Sequence, residues 1–323
     1  MAIEAGVPAV DGDKPAASGA PASGFFGRIQ SILEGVARRL ENPKVEYALW
    51  GGLLLALIAF VVIRPIYPNY DTMYALVWGD QIAHGHLPDY SVFKTPTPHP
   101  LFNVYTAILS LTGNAAIWIL LGLSLLMYVG LLMGVYRLVQ MKIGTLVAAV
   151  TVVVLLTRTD LMAFAFRSML DIPFLALIVW AAVLELKKPR RGTAPLVLLM
   201  LAGLLRPEAW LLAGLYWLWL AAGVVKPQLQ LPGETPSHGK LAGYAGLVVA
   251  APVIWLGCDW IVTGDPMYSL TSTRQVAGEL GRQKSLGKSI TLLPHYSGGS
   301  EHIVNPYVGF LGFAFAAYLL RSR

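Results

Sequence analysis

Asp71 follows closely on a long apolar run, residues 45–63, at the point where that run gives way to Tyr67-Pro68-Asn69-Tyr70-Asp71. A carboxylate at the edge between lipid and water can take a proton from a hydroxyl within hydrogen-bond reach. It can equally cap a helix, because Asp is a favoured N-cap residue. Further along, Arg167 and Asp171 stand at the start of the short apolar run 171–186, and Arg206 and Glu208 stand between the runs 193–205 and 208–225. A charge facing lipid costs about 2.5–3.5 kcal/mol on insertion scales. Groups so placed are cheaper to keep around a water-filled recess, where a lipid-linked phosphate could sit. The plainer alternative is that the arginines snorkel to headgroups and Asp171 caps a helix.

The elements that must hold these residues are membrane helices. Hydrophobic residues make up 56% of the 323-residue chain and charged ones 13%, which excludes an ordinary soluble domain. The net charge of +6 fits basic loops that fix membrane orientation rather than nucleic-acid binding. Cys258 is the only cysteine, so no disulfide can form within the chain. Residues 1–24 are rich in Ala, Pro, Gly and Ser and read as a disordered cytoplasmic tail. Residues 25–44 place Phe25, Phe26, Ile29, Ile32, Leu33, Val36 and Leu40 at helical spacing opposite Arg28, Arg38 and Arg39, an amphipathic helix lying on the inner membrane surface. The first long apolar run begins too deep in the chain for a cleavable signal peptide, and none is expected.

The fold expected for residues 45–323 is an all-α polytopic membrane protein. Eight spans are predicted, near 45–63, 115–136, 141–157, 171–186, 193–205, 208–225, 241–262 and 303–320. The apolar segment 101–112 is too short to cross and reads as a juxtamembrane or re-entrant helix. Lys and Arg then fall on one side: Arg38, Arg39 and Lys44, Arg137 and Lys142, Lys187 to Arg191, Lys226 and Lys240. That side is the cytoplasmic one, with the N-terminus inside a plasma (cytoplasmic) membrane and loops 64–100, 158–170 and 263–302 external.

The order of elements after the first span is informative. An Asp opens a short helix, a Gly/Pro turn follows (Gly85-His86-Leu87-Pro88), and Pro98-His99-Pro100-Leu101 begins the next apolar helix. Later come Arg206-Pro207-Glu208 after a mid-chain span and Thr263-Gly264-Asp265-Pro266 after a late one. This succession resembles the GT-C glycosyltransferases, the group that includes protein mannosyltransferases and lipid A aminoarabinose transferases. The resemblance implies an integral membrane enzyme that moves a sugar from a polyprenyl-phosphate donor to a hydroxyl of a glycan, lipid or protein acceptor, with inversion, on the external face. It also implies roles. Asp71 is the acceptor-activating base; Arg206, Arg167 and Arg274 hold the donor phosphate; His99, Asp171, Glu208 and Asp80 support the acceptor or the loops. No cofactor is expected, although some relatives hold a divalent metal between acidic loop residues, and Asp71 with Asp160 or Asp171 could imitate that arrangement.

Other signals are weaker. His84 and His86 beside Asp80 and Asp89 match no strong ligand pattern. Gly281 and Gly287-Lys288-Ser289 miss the spacing of a phosphate-binding loop and follow no strand, which excludes nucleotide binding. Two alternatives stay open from sequence: a non-catalytic membrane scaffold subunit, and a lipid or sugar transporter, against which the position of the charges at span ends counts.

Overall fold

The computed structural model describes residues 25–281 apart from Phe93, and all regular structure among them is helical. The expected tail 1–24 and the eighth expected span lie outside the described residues. Helix α1 (Phe25–Leu40) ends two residues before α2 (Pro43–Ile63), whose start is set by Pro43 and by Asn42 accepting from the Lys44 amide at 3.0 Å. Two short helices follow, α3 (Tyr70–Ala83) and α4 (Pro100–Ser110), then the long α5 (Ala116–Lys142). Gly144, at φ +128, turns the chain back into α6 (Thr145–Leu156), which bends by 69° into α7 (Thr159–Phe166).

Helices α8 (Asp171–Lys187), α9 (Thr193–Gly203), α10 (Glu208–Val225) and α11 (His238–Thr263) complete the bundle, and α12 (Tyr268–Glu279) lies across one end of it. The core is built around α5. Its Leu121, Leu125, Tyr128 and Leu132, on one helical face, pack with Leu57 of α2, Ala148 of α6, Ala165 of α7 and Ile172 of α8. A second cluster, Ala75, Phe102, Leu109, Leu120, Leu170 and Leu205, ties α3 and α4 to α5, α8 and α9 directly beneath the site.

Among the described residues four helices are long and apolar enough to cross a membrane: α2, α5, α10 and α11; bent α6 and α7 would make a fifth span. Their outward residues, among them Leu55, Val62, Leu211, Leu215, Val253 and Ile261, are exposed, as lipid-facing residues must be. The chain is therefore a helical, multi-pass membrane protein. Seven of the eight expected spans fall among the described residues, which hold four such helices, or five with the bent pair. Helix α9 has 11 residues, about 17 Å at a rise of about 1.5 Å each, roughly half of a hydrocarbon core. Gly192 limits it at one end and the Leu204–Pro207 break at the other, and Leu196 and Ala202 are fully buried. Helix α8, with 17 residues or about 25 Å, stands at the lower limit of the crossing length. Both give packing and a charged edge to the bundle.

The expected basic residues gather at one end. Arg137 of α5 pairs with Glu46 of α2 at 2.6 Å, and Lys188 pairs with Glu234 before α11 at 2.9 Å. Asp71 of α3, Arg206 between α9 and α10, and Arg274 of α12 are at the other.

Candidate functional site

Helix α3 begins two residues earlier than an Asp71 cap would set it. Asn69, not Asp71, is its N-cap: the Asn69 Oδ1 accepts from the Thr72 amide at 3.0 Å. Asp71 sits in the first turn, where the helix dipole favours a carboxylate. Two further bonds fix this turn. The Asn69 amide donates to the Arg167 carbonyl at 3.0 Å, and the Thr72 hydroxyl donates to the Ser168 carbonyl at 3.0 Å. Behind it, Gly79 lets α3 and α4 touch: a Cβ there would come within 2.5 Å of the Thr106 backbone. Thr106 also donates to the Ala75 carbonyl at 2.7 Å.

Helix α4 starts against the break between α9 and α10. The Leu101 amide reaches the Leu204 carbonyl at 3.3 Å. His99, the residue before α4, is bonded to the Leu205 backbone and stands edge-on to Trp255 at 5.5 Å. Burial, followed by the nearby Arg206 charge, pulls the His99 pKa down to about 3, so the imidazole is neutral at physiological pH.

Arg206 follows the short α9 and Asp171 opens the short α8. They meet: Arg206 Nη2 lies 2.7 Å from Asp171 Oδ1. The partner of Arg206 thus comes from the neighbouring helix. Both side chains are part-exposed, so the pair itself adds little stability. The guanidinium Nε is buried without a partner, and the group stands over the Phe174 ring at 5.8 Å.

Helix α12 closes the site. Asp259, buried near the end of α11, accepts from the Ser269 amide at 2.9 Å and the Ser269 hydroxyl at 2.6 Å. Tyr268 donates to the Tyr90 carbonyl at 3.0 Å and stacks on its ring. Thr273 and Thr97 are joined through their hydroxyls at 2.6 Å.

The result is a cavity of about 530 Å³ whose lining includes Asp71, His99, Asp171, Arg206, Glu208 and Arg274. Six of the eight expected residues thus share one space. Arg167 and Asp80 do not line it. Arg167 has an exposed side chain and contributes its carbonyl to α3, while Asp80 faces outward and pairs with His84 at 3.4 Å. A second cavity of about 460 Å³ is lined by Tyr70, Lys94, Val276 and Leu280, and shares Asp71, Thr97 and Thr273 with the first. A third, of about 270 Å³, is almost wholly apolar; Met169 lines both it and the first.

Asp160 lies outside these linings, and among the described residues no three His, Cys, Asp or Glu side chains are grouped as metal ligands. Asn69, Thr97, Ser269 and Thr273 were not singled out from sequence. Asp259 had a legible signal, an acid inside the apolar run 241–262. No family model, curated protein or solved structure matches the chain.

Proposed function

We propose that this chain is an integral membrane glycosyltransferase of the GT-C kind, acting on the membrane face opposite its basic loops. It moves a sugar from a polyprenyl phosphate to an acceptor hydroxyl. The observation that carries this is the position of Asp71 in the walls of two cavities, one of which also holds Arg206 and Arg274.

In the reaction, the acceptor oxygen enters from the second cavity and attacks the anomeric carbon, and its proton passes to the Asp71 carboxylate. The bond from that carbon to the phosphate oxygen breaks, its electron pair leaves with the phosphate, and the anomeric centre inverts. A positioned base of this type is worth about 10²–10⁴ in rate. Arg206 and Arg274 stabilise the departing charge, which is worth most in a site shielded from water. Asp171 offsets part of the Arg206 charge and fixes its direction. The prenyl chain runs along the apolar third cavity, past Met169.

The test is transfer or hydrolysis by purified protein in nanodiscs, against a panel of labelled polyprenyl-phosphate sugars. Activity on one donor, lost in Asp71→Asn, is the expected result. No activity on any donor, with the protein folded, would favour a scaffold role.

A further inference from the structure

The opposite end of the bundle holds a site that the proposed transfer does not use. Between α2, α5 and α6 lies a mostly apolar cavity of about 290 Å³, lined by Leu49, Leu53, Ala149 and Val153, by Leu40 of α1 and by the buried, Arg137-paired Glu46. Tyr136 also lines it; the residue is 4% exposed, and its hydroxyl is buried without a partner. A buried hydroxyl left unbonded is costly, so its natural complement is an oxygen acceptor from whatever enters.

A polar chain surrounds the mouth. Glu46 pairs with Arg137 at 2.6 Å, Arg137 donates to Gln140 at 2.9 Å, Gln140 to Thr145 at 3.3 Å, and Thr145 to Glu41 at 2.8 Å. The last of these bonds moors the end of α1 over α6. Around this rim Arg38, Arg39, Lys44 and Lys142 are exposed, and cations outnumber carboxylates. Helix α1 itself exposes Ile29, Ile32, Leu33 and Val36, and it ends two residues from a helix long enough to span the membrane. Its apolar side therefore lies at a lipid surface and the cations beside it at headgroup level.

We infer that this end binds an anionic phospholipid. One acyl chain fills the cavity, a glycerol ester carbonyl accepts from the Tyr136 hydroxyl, and the phosphate lies among the cations of the α1 rim. The apolar lining supplies affinity without selectivity, and the rim charges supply selectivity for an anionic headgroup. This site is independent of the transfer reaction.

Native mass spectrometry of the full chain, incubated with equal amounts of phosphatidylglycerol and phosphatidylcholine, tests it. The unmodified protein should retain phosphatidylglycerol about tenfold better, on the scale of a juxtamembrane charge effect. Arg38→Gln with Arg39→Gln should remove that preference and leave weak binding of both lipids. Tyr136→Phe should weaken both lipids alike, since both carry the ester. Val153→Trp, which fills the cavity, should abolish retention of either. If Val153→Trp does not assemble, the arginine pair, on an exposed helix surface, still decides. Equal retention of both lipids by the unmodified protein, or a preference that survives the arginine changes, would overturn the inference.

Discussion

Arg206 and Asp171, 35 residues apart in sequence, meet at 2.7 Å where the short helix α8 begins and the short helix α9 has just ended. Helix α9 is too short to carry its charged end through a full hydrocarbon layer, and the pair lies in the wall of a cavity. The pairing gives Arg206 direction while leaving the rest of its donor fork for a ligand. Arg206→Lys keeps the charge and loses the fork, so the KM for a polyprenyl-phosphate sugar should rise about tenfold with little change in melting temperature. Asp171→Asn removes the competing carboxylate and should leave donor KM unchanged or lower. Equal losses of stability in both variants, with donor KM unmoved, would reduce the pair to a structural tie.

The separation of Asn69 from Asp71 allows capping and chemistry to be tested apart. Asn69→Ala removes the bond to the Thr72 amide and should cost about 1 kcal/mol of stability. Asp71→Asn leaves that cap intact, so it should fold with a near-normal melting temperature while transfer falls by about 10²-fold or more. The reverse pattern, a stability loss at Asp71 and an activity loss only at Asn69, would count against Asp71 as the base. Thermal melts beside single-turnover rates distinguish the two.

What could be read from sequence was local, and what could not was mostly tertiary. Hydropathy alone marked α2, α5, α10 and α11, because about 20 apolar residues in a row have few other uses. Charges at the ends of 171–186 and 193–205 were enough to point to a shared recess, since lipid penalises them. The run 193–205 was misjudged as spanning because apolar composition cannot distinguish a residue facing lipid from one such as Leu196, buried against protein. The cap of α3 was misassigned because Asn69 and Asp71 are both good caps, and the choice depends on the carbonyl of Arg167, about a hundred residues away. The Thr97–Thr273 bond spans 176 positions and has no sequence signal.

The basic end of the bundle should face the cytoplasm. The positive-inside rule motivates this, together with the gathering of Arg38, Arg39, Lys142, Lys187 and Lys188 opposite the site. In a Cys258→Ala background, single cysteines at Leu87 and Asp160, both exposed near the site, should be blocked by an impermeant thiol reagent added outside cells. A cysteine at Arg191, exposed at the basic end, should react only after permeabilisation. Labelling of position 191 in intact cells would invert the orientation.

His99 gives the site a pH signature. Its folded pKa of about 3 lies below the ordinary histidine value, because burial and the Arg206 charge both disfavour the imidazolium. Above about pH 6.5 the ring is neutral in folded and unfolded chains alike, and stability does not depend on it. Between about 6.5 and 3 the unfolded chain takes up a proton that the folded one refuses, so stability falls as pH is lowered through that window. Melting temperature in detergent should therefore drop with acidification, and His99→Gln should flatten part of the slope. The same neutral ring cannot act as an acid near pH 7, so any rate profile of the unmodified protein under the proposed transfer should carry no limb from His99. A His99→Gln protein with the same stability slope and a lost alkaline or neutral limb in rate would show that the imidazole titrates in the working range, and that its surroundings in the functioning protein are wetter than those in the cavity wall.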